Sequence, residues 1–208
     1  LAKIKLNGKN IAETDNQFRT YRIPVQDYLR EGTNSIEILF YSTFPQIKRL
    51  QRKRQFGFSE ERLDRIPGGA QIRKSQCNYG WDWGPKMVTA GIWKSIYIEC
   101  WDKGRIDDVA VEQTHTHTRT RVELDIHVKL QNHSADIFKI KTTLFLKGDT
   151  IQEKTIALEK NSITPRLTVK DPELWWPNGL GPQPLYDLVV ELLDEDGTAH
   201  DIKAFQLG

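Results

Sequence analysis

An unbroken alternation of apolar and polar residues at 121–130 is the feature that most constrains the fold of this chain. Its apolar members are Val122, Leu124, Ile126, Val128 and Leu130. Because successive side chains of a β-strand point to opposite faces, this period of two predicts a strand with one buried face and one solvated face. Similar alternation predicts further strands at 137–146, 95–101, 35–40 and 185–193.

Polar turn signals separate the predicted strands. They are Asn7-Gly8, Glu31-Gly32, Lys147-Gly148 and the run 194–197. Many short strands joined by polar turns are typical of β-sandwiches. A polar connector at 102–105 follows the predicted strand at 95–101, so we expect one module at 1–101 and a second at 102–208.

One segment departs from the strand pattern. Residues 44–63 are rich in Lys, Arg, Gln and Glu, with Ile47 and Leu50 at helical spacing, and predict a surface helix or a long excursion ended by Pro67. The basic run 48–54 could bind the phosphates of a nucleic acid. Three acidic residues lie nearby in the sequence: Glu60, Glu61 and Asp64. Because they offset the basic charge, a solvated helix face is the preferred interpretation.

The balance of charge bears on the class of partner. The chain has 208 residues, with 30 Lys and Arg against 28 Asp and Glu and a formal net charge of +2. Such a balance gives no overall attraction to nucleic acid or to an anionic membrane, and no apolar run is long enough to span a bilayer. We therefore expect neither as a partner. Localisation is left open, because no targeting segment is recognisable.

The cysteines and histidines predict no metal site and no cofactor. Cys77 and Cys100 are too few for a disulfide framework and lack the spacing of a zinc site. His115 and His117 could turn two imidazoles to one face of a strand, but no third ligand is evident nearby. A solvated strand face is therefore the preferred interpretation of this pair.

The richest candidate for chemistry is the loop at 78–85, where Trp81 and Trp83 bracket Asp82 between glycines. Aromatic rings stack on the apolar faces of sugars, and a carboxylate accepts hydrogen bonds from sugar hydroxyls. In an extended loop the two indoles would share one face and Asp82 the other, so both kinds of side chain would reach one ligand only if the loop bends. The alternative, slightly favoured by composition alone, is that both tryptophans are core residues and Asp82 caps a turn.

A second aromatic segment covers residues 171–186. It contains Trp175 and Trp176 among four prolines, and because proline donates no backbone hydrogen bond it predicts a shaped loop before the strand at 185–193. The tryptophan pair could be a sugar platform, although packing against a neighbouring domain is the preferred interpretation.

These motifs together resemble the β-mannosidases of glycoside hydrolase family two. Gly-Trp-Asp-Trp-Gly-Pro at 80–85, continuing to Lys94, is the most specific motif, and Leu-Trp-Trp-Pro-Asn-Gly at 174–179 is similar to the end of that family's first immunoglobulin-like domain. Leu-Asn-Gly-Lys at 6–9, with 15–19, resembles a stretch of its jelly-roll module. The resemblance implies an all-β chain of two β-sandwiches in tandem, a partial galactose-binding-like jelly roll followed by an immunoglobulin-like sandwich.

The resemblance also implies a role for the loop. In the family a (β/α)8 barrel carrying the catalytic acid and nucleophile follows these two domains, and this chain is expected to stop before it. Carried over residue by residue, Asp82 would accept hydrogen bonds from the terminal mannose and Trp83 would form an apolar wall of its pocket. Neither residue would cleave the bond. Asn78 departs from the aromatic residue or histidine expected there.

The residues themselves argue against catalysis by this chain alone. Retaining glycoside hydrolysis needs two carboxyl groups roughly 5 Å apart, and Asp82 is the one acid with an aromatic residue on each side. We therefore expect a non-catalytic portion of an exo-acting β-mannosidase, whose partners are a mannose-containing oligosaccharide and the missing barrel. The alternatives are a free-standing carbohydrate-binding module and a nucleic-acid-binding protein. A truncated sandwich is also expected to associate with itself.

Overall fold

The computed structural model describes residues 1–54, 65–132, 134 and 137–208. The chain divides into two compact units, Leu1–Tyr97 and Ile98–Gly208, and each is considered by itself below. The assignment of whole domains to 1–101 and 102–208 stays a prediction.

The first unit contains a three-stranded antiparallel sheet. Its strands are β1 (Ala2–Leu6), β2 (Lys9–Thr14) and β3 (Ile36–Phe40), in the spatial order β2-β1-β3. The predicted turn at Asn7-Gly8 joins β1 to β2, and both residues have positive φ angles of 50° and 80°. Asparagine and glycine tolerate that backbone conformation better than other residues, which is why this pair forms a tight hairpin.

A helical region follows the sheet in the first unit. Helix α1 (Phe44–Lys53) carries a proline in its first turn and buries Ile47 against Ile72 and Tyr79. Three short 3₁₀ helices cover Gln26–Tyr28, Gly69–Gln71 and Gln76–Tyr79. The predicted surface helix is thus confirmed over 44–53. The remainder of that prediction at 55–63, with Glu60, Glu61 and Asp64, lies outside the described residues.

The predicted strand at 95–101 is wrong. This stretch has no ladder partner among the described residues. Ile96, Tyr97 and Ile98 are all exposed, Tyr97 to 73%. Alternation in sequence is necessary for a half-buried strand, but a strand also needs a neighbour whose backbone it can pair with.

The second unit is a β-sandwich of two antiparallel sheets. Its strands are β4 (Gly104–His115), β5 (Arg121–Asn132), β6 (Lys139–Leu146), β7 (Asp149–Ala157), β8 (Ser162–Ile163), β9 (Arg166–Lys170), β10 (Tyr186–Leu193) and β11 (Ala199–Leu207). One sheet has the order β11-β10-β6-β7. In the other, β5 pairs with β4 along one edge and with β8 and β9 along the opposite edge.

The core of the second unit lies between its two sheets. The alternating apolar residues of β5 are buried as predicted, and Ile126 packs with Ile140 of β6 and Leu188 of β10 in one cluster. The predicted strands at 121–130, 137–146, 35–40 and 185–193 are confirmed, with ends that move by one or two residues. The predicted all-β class is confirmed as well. No helix in the described part of the chain has the length and apolar character needed to cross a membrane.

Candidate functional site

Asp82 and Trp83 occupy the centre of a four-residue turn. Trp81 and Gly84 pair across it as an isolated antiparallel bridge, and the Gly84 N–H donates to the Trp81 carbonyl oxygen at 3.3 Å. The loop therefore bends, which is the condition under which both kinds of side chain could reach one ligand. Asp82 is exposed, and the Trp83 side chain is 74% exposed. The alternative that Trp83 is a core residue is therefore wrong.

The turn grows from a firmly packed base. Tyr79 is only 2% exposed, and its hydroxyl donates to Oγ1 of Thr43 at 3.0 Å. Burial raises the pKa of Tyr79, an effect that the hydrogen bond to Thr43 partly offsets. The Tyr79 carbonyl oxygen accepts a hydrogen bond from the Ile66 N–H at 2.7 Å. Gly80 then adopts a φ of 110°, a value that glycine tolerates best, and the chain leaves the core toward the turn.

A second set of contacts fixes the segment that leads into Tyr79. The Gln17 N–H donates to the Arg73 carbonyl oxygen at 2.9 Å, and the Gln17 side chain accepts a hydrogen bond from the Ser75 N–H at 3.2 Å. Burial lowers the pKa of Lys74, and the neighbouring Cys77 partly offsets that shift. Gln17 therefore holds the segment at both Arg73 and Ser75, before the turn begins.

Trp81 has a cationic neighbour that the sequence did not reveal. Cζ of Arg65 lies 4.1 Å from the centroid of the Trp81 ring, and Trp81 itself is half-buried. Arg65 precedes Trp81 by sixteen positions and lies next to a long charged stretch. No local spacing signal singles it out, because the contact depends on how the chain folds back on itself.

Asp82 carries a carboxylate without a partner in the described part of the chain. No hydrogen bond or ion pair joins it to those residues. Two cavities of about 150 and 390 Å³ lie elsewhere, the larger beside α1, and neither is lined by Asp82 or Trp83. The turn thus presents an acceptor and an apolar ring that are both exposed among the described residues.

The other predicted features of the sequence fall outside this turn. His115 and His117 are both exposed, and the described residues contain no group of three or more His, Cys, Asp or Glu side chains placed to hold a metal ion. In the second unit, the backbone N–H of Trp176 donates to the Pro182 carbonyl oxygen at 2.9 Å. This hydrogen bond ties Trp176 to another residue of the same loop. Trp175 remains 45% exposed.

Two family models cover most of the chain. The model described as glycosyl hydrolase 2 galactose-binding domain-like matches residues 1–94. The model described as glycosyl hydrolases family 2 matches residues 104–208.

Individual relatives agree with the family models. The chain is 32% identical to β-mannosidase B of Aspergillus clavatus and 33% identical to that of Emericella nidulans, over 97% of its own length and 24% of theirs. A solved structure of a β-D-mannosidase from Dictyoglomus thermophilum matches the whole chain with a TM-score of 0.85 at 30% identity, over 25% of that protein. An exo-chitosanase structure from Amycolatopsis orientalis, with a TM-score of 0.64 at 19% identity, shares the fold. The chain spans about a quarter of the length of these β-mannosidases, and it belongs to glycosyl hydrolase family 2.

Proposed function

We propose that this chain is the non-catalytic N-terminal portion of an exo-acting β-mannosidase, which removes terminal β-D-mannose from β-mannosides. In this proposal the Asp82–Trp83 turn lines part of the sugar pocket. The relatives named β-mannosidase support the reaction, because they match the chain almost from end to end. A missing (β/α)8 barrel supplies the acid and the nucleophile.

The observation that carries the role of the turn is the joint exposure of its two central side chains. An indole that is 74% exposed keeps a large, rigid apolar face in water, on which a sugar ring could stack. The carboxylate of Asp82, which has no partner among the described residues, supplies an acceptor next to it in the turn. Sugars have both apolar C–H faces and hydroxyl donors, so a paired indole and carboxylate complement them.

The exposure of both side chains also supports the proposal that another domain completes the site. A sugar held only by an exposed turn would keep most of its surface in water, whereas small-molecule sites bury most of their ligand. The remaining walls of the pocket are therefore assigned to the barrel. This proposal requires two partners, a mannose-containing oligosaccharide and the barrel.

Substitution of Asp82 in the longer enzyme tests the proposal. Asp82→Ala should lower kcat/KM for a β-mannoside roughly ten- to a hundredfold, the range expected for a lost hydrogen bond to a charged group, while the thermal midpoint stays unchanged. Asp27→Ala is the matched control, since Asp27 is an exposed acid of the same unit. Equal activity in both variants, or a parallel loss of folding and turnover in Asp82→Ala, would contradict the proposed role.

Calorimetry can distinguish this proposal from the alternative of a free-standing carbohydrate-binding module. If the barrel supplies most of the pocket, titration of the 208-residue chain with a mannoside should give little or no heat. A measurable binding isotherm that disappears in Asp82→Ala would instead favour the module.

Self-association of the isolated chain belongs to the same proposal. Ile96, Tyr97 and Ile98 are consecutive exposed apolar residues, and Trp93 and Met87 earlier in the chain are exposed as well. A segment whose backbone has no ladder partner among the described residues can pair with another copy. Sedimentation velocity should show dimers or larger species whose fraction rises with concentration and falls in a Tyr97→Glu variant. A monomer at all concentrations would contradict this expectation.

A further inference from the structure

Arg65 has an unusual environment beside the turn. Its guanidinium lies over the Trp81 ring at 4.1 Å, while its Nε atom is buried and has no hydrogen-bond partner within the described residues. A buried donor without an acceptor is unfavourable, so a contact that offsets it must come from elsewhere. The face of an indole is such a contact, because its negative electrostatic potential attracts a cation.

The same indole is one end of the turn. The Trp81 carbonyl oxygen accepts the hydrogen bond from Gly84 that closes the turn, so restricting Trp81 restricts the backbone that carries Asp82. The backbone next to Arg65 is also joined to the backbone just before Trp81, since the Ile66 N–H donates to the Tyr79 carbonyl oxygen. Arg65 and Trp81 are thus held close together by backbone and by ring contact.

We propose that Arg65 is a positioning residue, which stacks on Trp81 and thereby holds Asp82 and Trp83 where they meet the terminal sugar. This inference rests on the proposed function of the turn. Arg65 acts through the indole and does not itself touch the substrate in this account. Its planar guanidinium suits a ring face better than the ammonium of lysine, so the two basic residues should not be equivalent here.

Hydrogen exchange tests the structural half of the proposal without any substrate. In Arg65→Met, which keeps an unbranched apolar side chain, peptides covering 80–87 should exchange on the order of fivefold faster, because a ring contact of about 1 kcal/mol is lost. Lys94→Met is the matched control. It removes a similar cation from a ring of the same unit, since Nζ of Lys94 lies 4.7 Å from the centroid of Trp93. That control should leave exchange at 80–87 unchanged.

Kinetics of the longer enzyme test the functional half. Arg65→Met should lower kcat/KM for a β-mannoside roughly tenfold, as expected when a binding group is slightly misplaced, with the thermal midpoint unchanged. Arg65→Lys should give an intermediate loss. Combined with Trp81→Phe, the effect of Arg65→Met should shrink, because both changes act on one contact. Lys94→Met should keep wild-type kinetics.

The outcomes separate this inference from the proposed function. Unchanged exchange at 80–87 in Arg65→Met overturns the positioning role. Faster exchange with wild-type kinetics also overturns it, provided that Asp82→Ala impairs turnover. If Asp82→Ala itself has wild-type turnover, the proposed function fails, and the exchange result then decides only whether Arg65 holds the turn.

Discussion

At the scale of single residues, close contacts decide where the turn can lie. A Cβ atom at Gly69 would fall 2.6 Å from Cγ of Tyr79, so the backbone lies directly against the ring that anchors the site. Gly69→Ala should therefore destabilise the chain by roughly 1–3 kcal/mol, the usual cost of overpacking, as measured by urea unfolding. Gly84→Ala is the control, because a Cβ there would meet nothing within 4 Å. Equal stability of the two variants would contradict this contact.

In the second unit, Arg105 is a buried charged residue whose contacts can be tested in the same way. Its side chain is 5% exposed, and it donates to Asp107 at 3.0 Å and Gln131 at 3.0 Å and also pairs with Glu99. Arg105→Met should cost roughly 2–3 kcal/mol in thermal or urea unfolding, since charge-assisted hydrogen bonds are lost. In Arg121→Met the half-exposed pair with Glu123 is removed instead, and a loss below about 0.5 kcal/mol is expected. A similar loss in both would show that burial does not matter here.

At the scale of elements, β5 organises the second unit because it pairs on both edges and buries one face. Ile126 is fully buried in the shared core, so Ile126→Ala should cost roughly 2–5 kcal/mol of unfolding free energy through the cavity it leaves. Lys129→Ala, on the solvated face of the same strand, should change stability by less than about 0.5 kcal/mol. Chemical denaturation of both variants checks this alternation directly, and equal losses would contradict it.

At the scale of the whole molecule, carboxylates in ion pairs make stability depend on pH. The hydrogen bond from Arg166 lowers the pKa of Asp125, and the hydrogen bond from His200 lowers the pKa of Asp194, each from an ordinary value of 3.8. Groups whose pKa is lower in the folded state stabilise it above their unfolded pKa and lose that contribution as the pH falls through the folded value.

We therefore expect the second unit to become less stable as the pH falls below about 4. A double variant, Asp125→Asn with Asp194→Asn, should be less stable than the wild type at neutral pH and should lose less stability on acidification. Thermal midpoints across pH 2 to 7 measure this, with Asp149→Asn as the control. Parallel curves for the wild type and the double variant would contradict the assignment.

The prediction of the fold from sequence succeeded where the pattern within a single strand was enough to identify it. The alternation at 121–130 can be interpreted from the geometry of a strand alone, and β5 buries the predicted face. The same pattern at 95–101 failed, because pairing depends on a neighbour that no local pattern specifies. Boundaries at other strands moved by a residue or two, since ladders end where their partners end.

The candidate site divides in the same way. The pair Asp82 and Trp83 could be named from the sequence because the motif at 80–85 resembles that of the family, whereas composition alone slightly favoured core tryptophans. That the loop closes into a turn, and that Arg65 lies over Trp81, could not, because both depend on backbone packing around Tyr79.

The sequence by itself determined the strand periodicity, the turn residues and the family, because each depends on neighbouring residues or on short ordered motifs. Only the tertiary structure decided which strands find partners and which cation lies over the Trp81 ring. Those outcomes depend on contacts between residues far apart in the chain, and their energies exist only once the chain has folded.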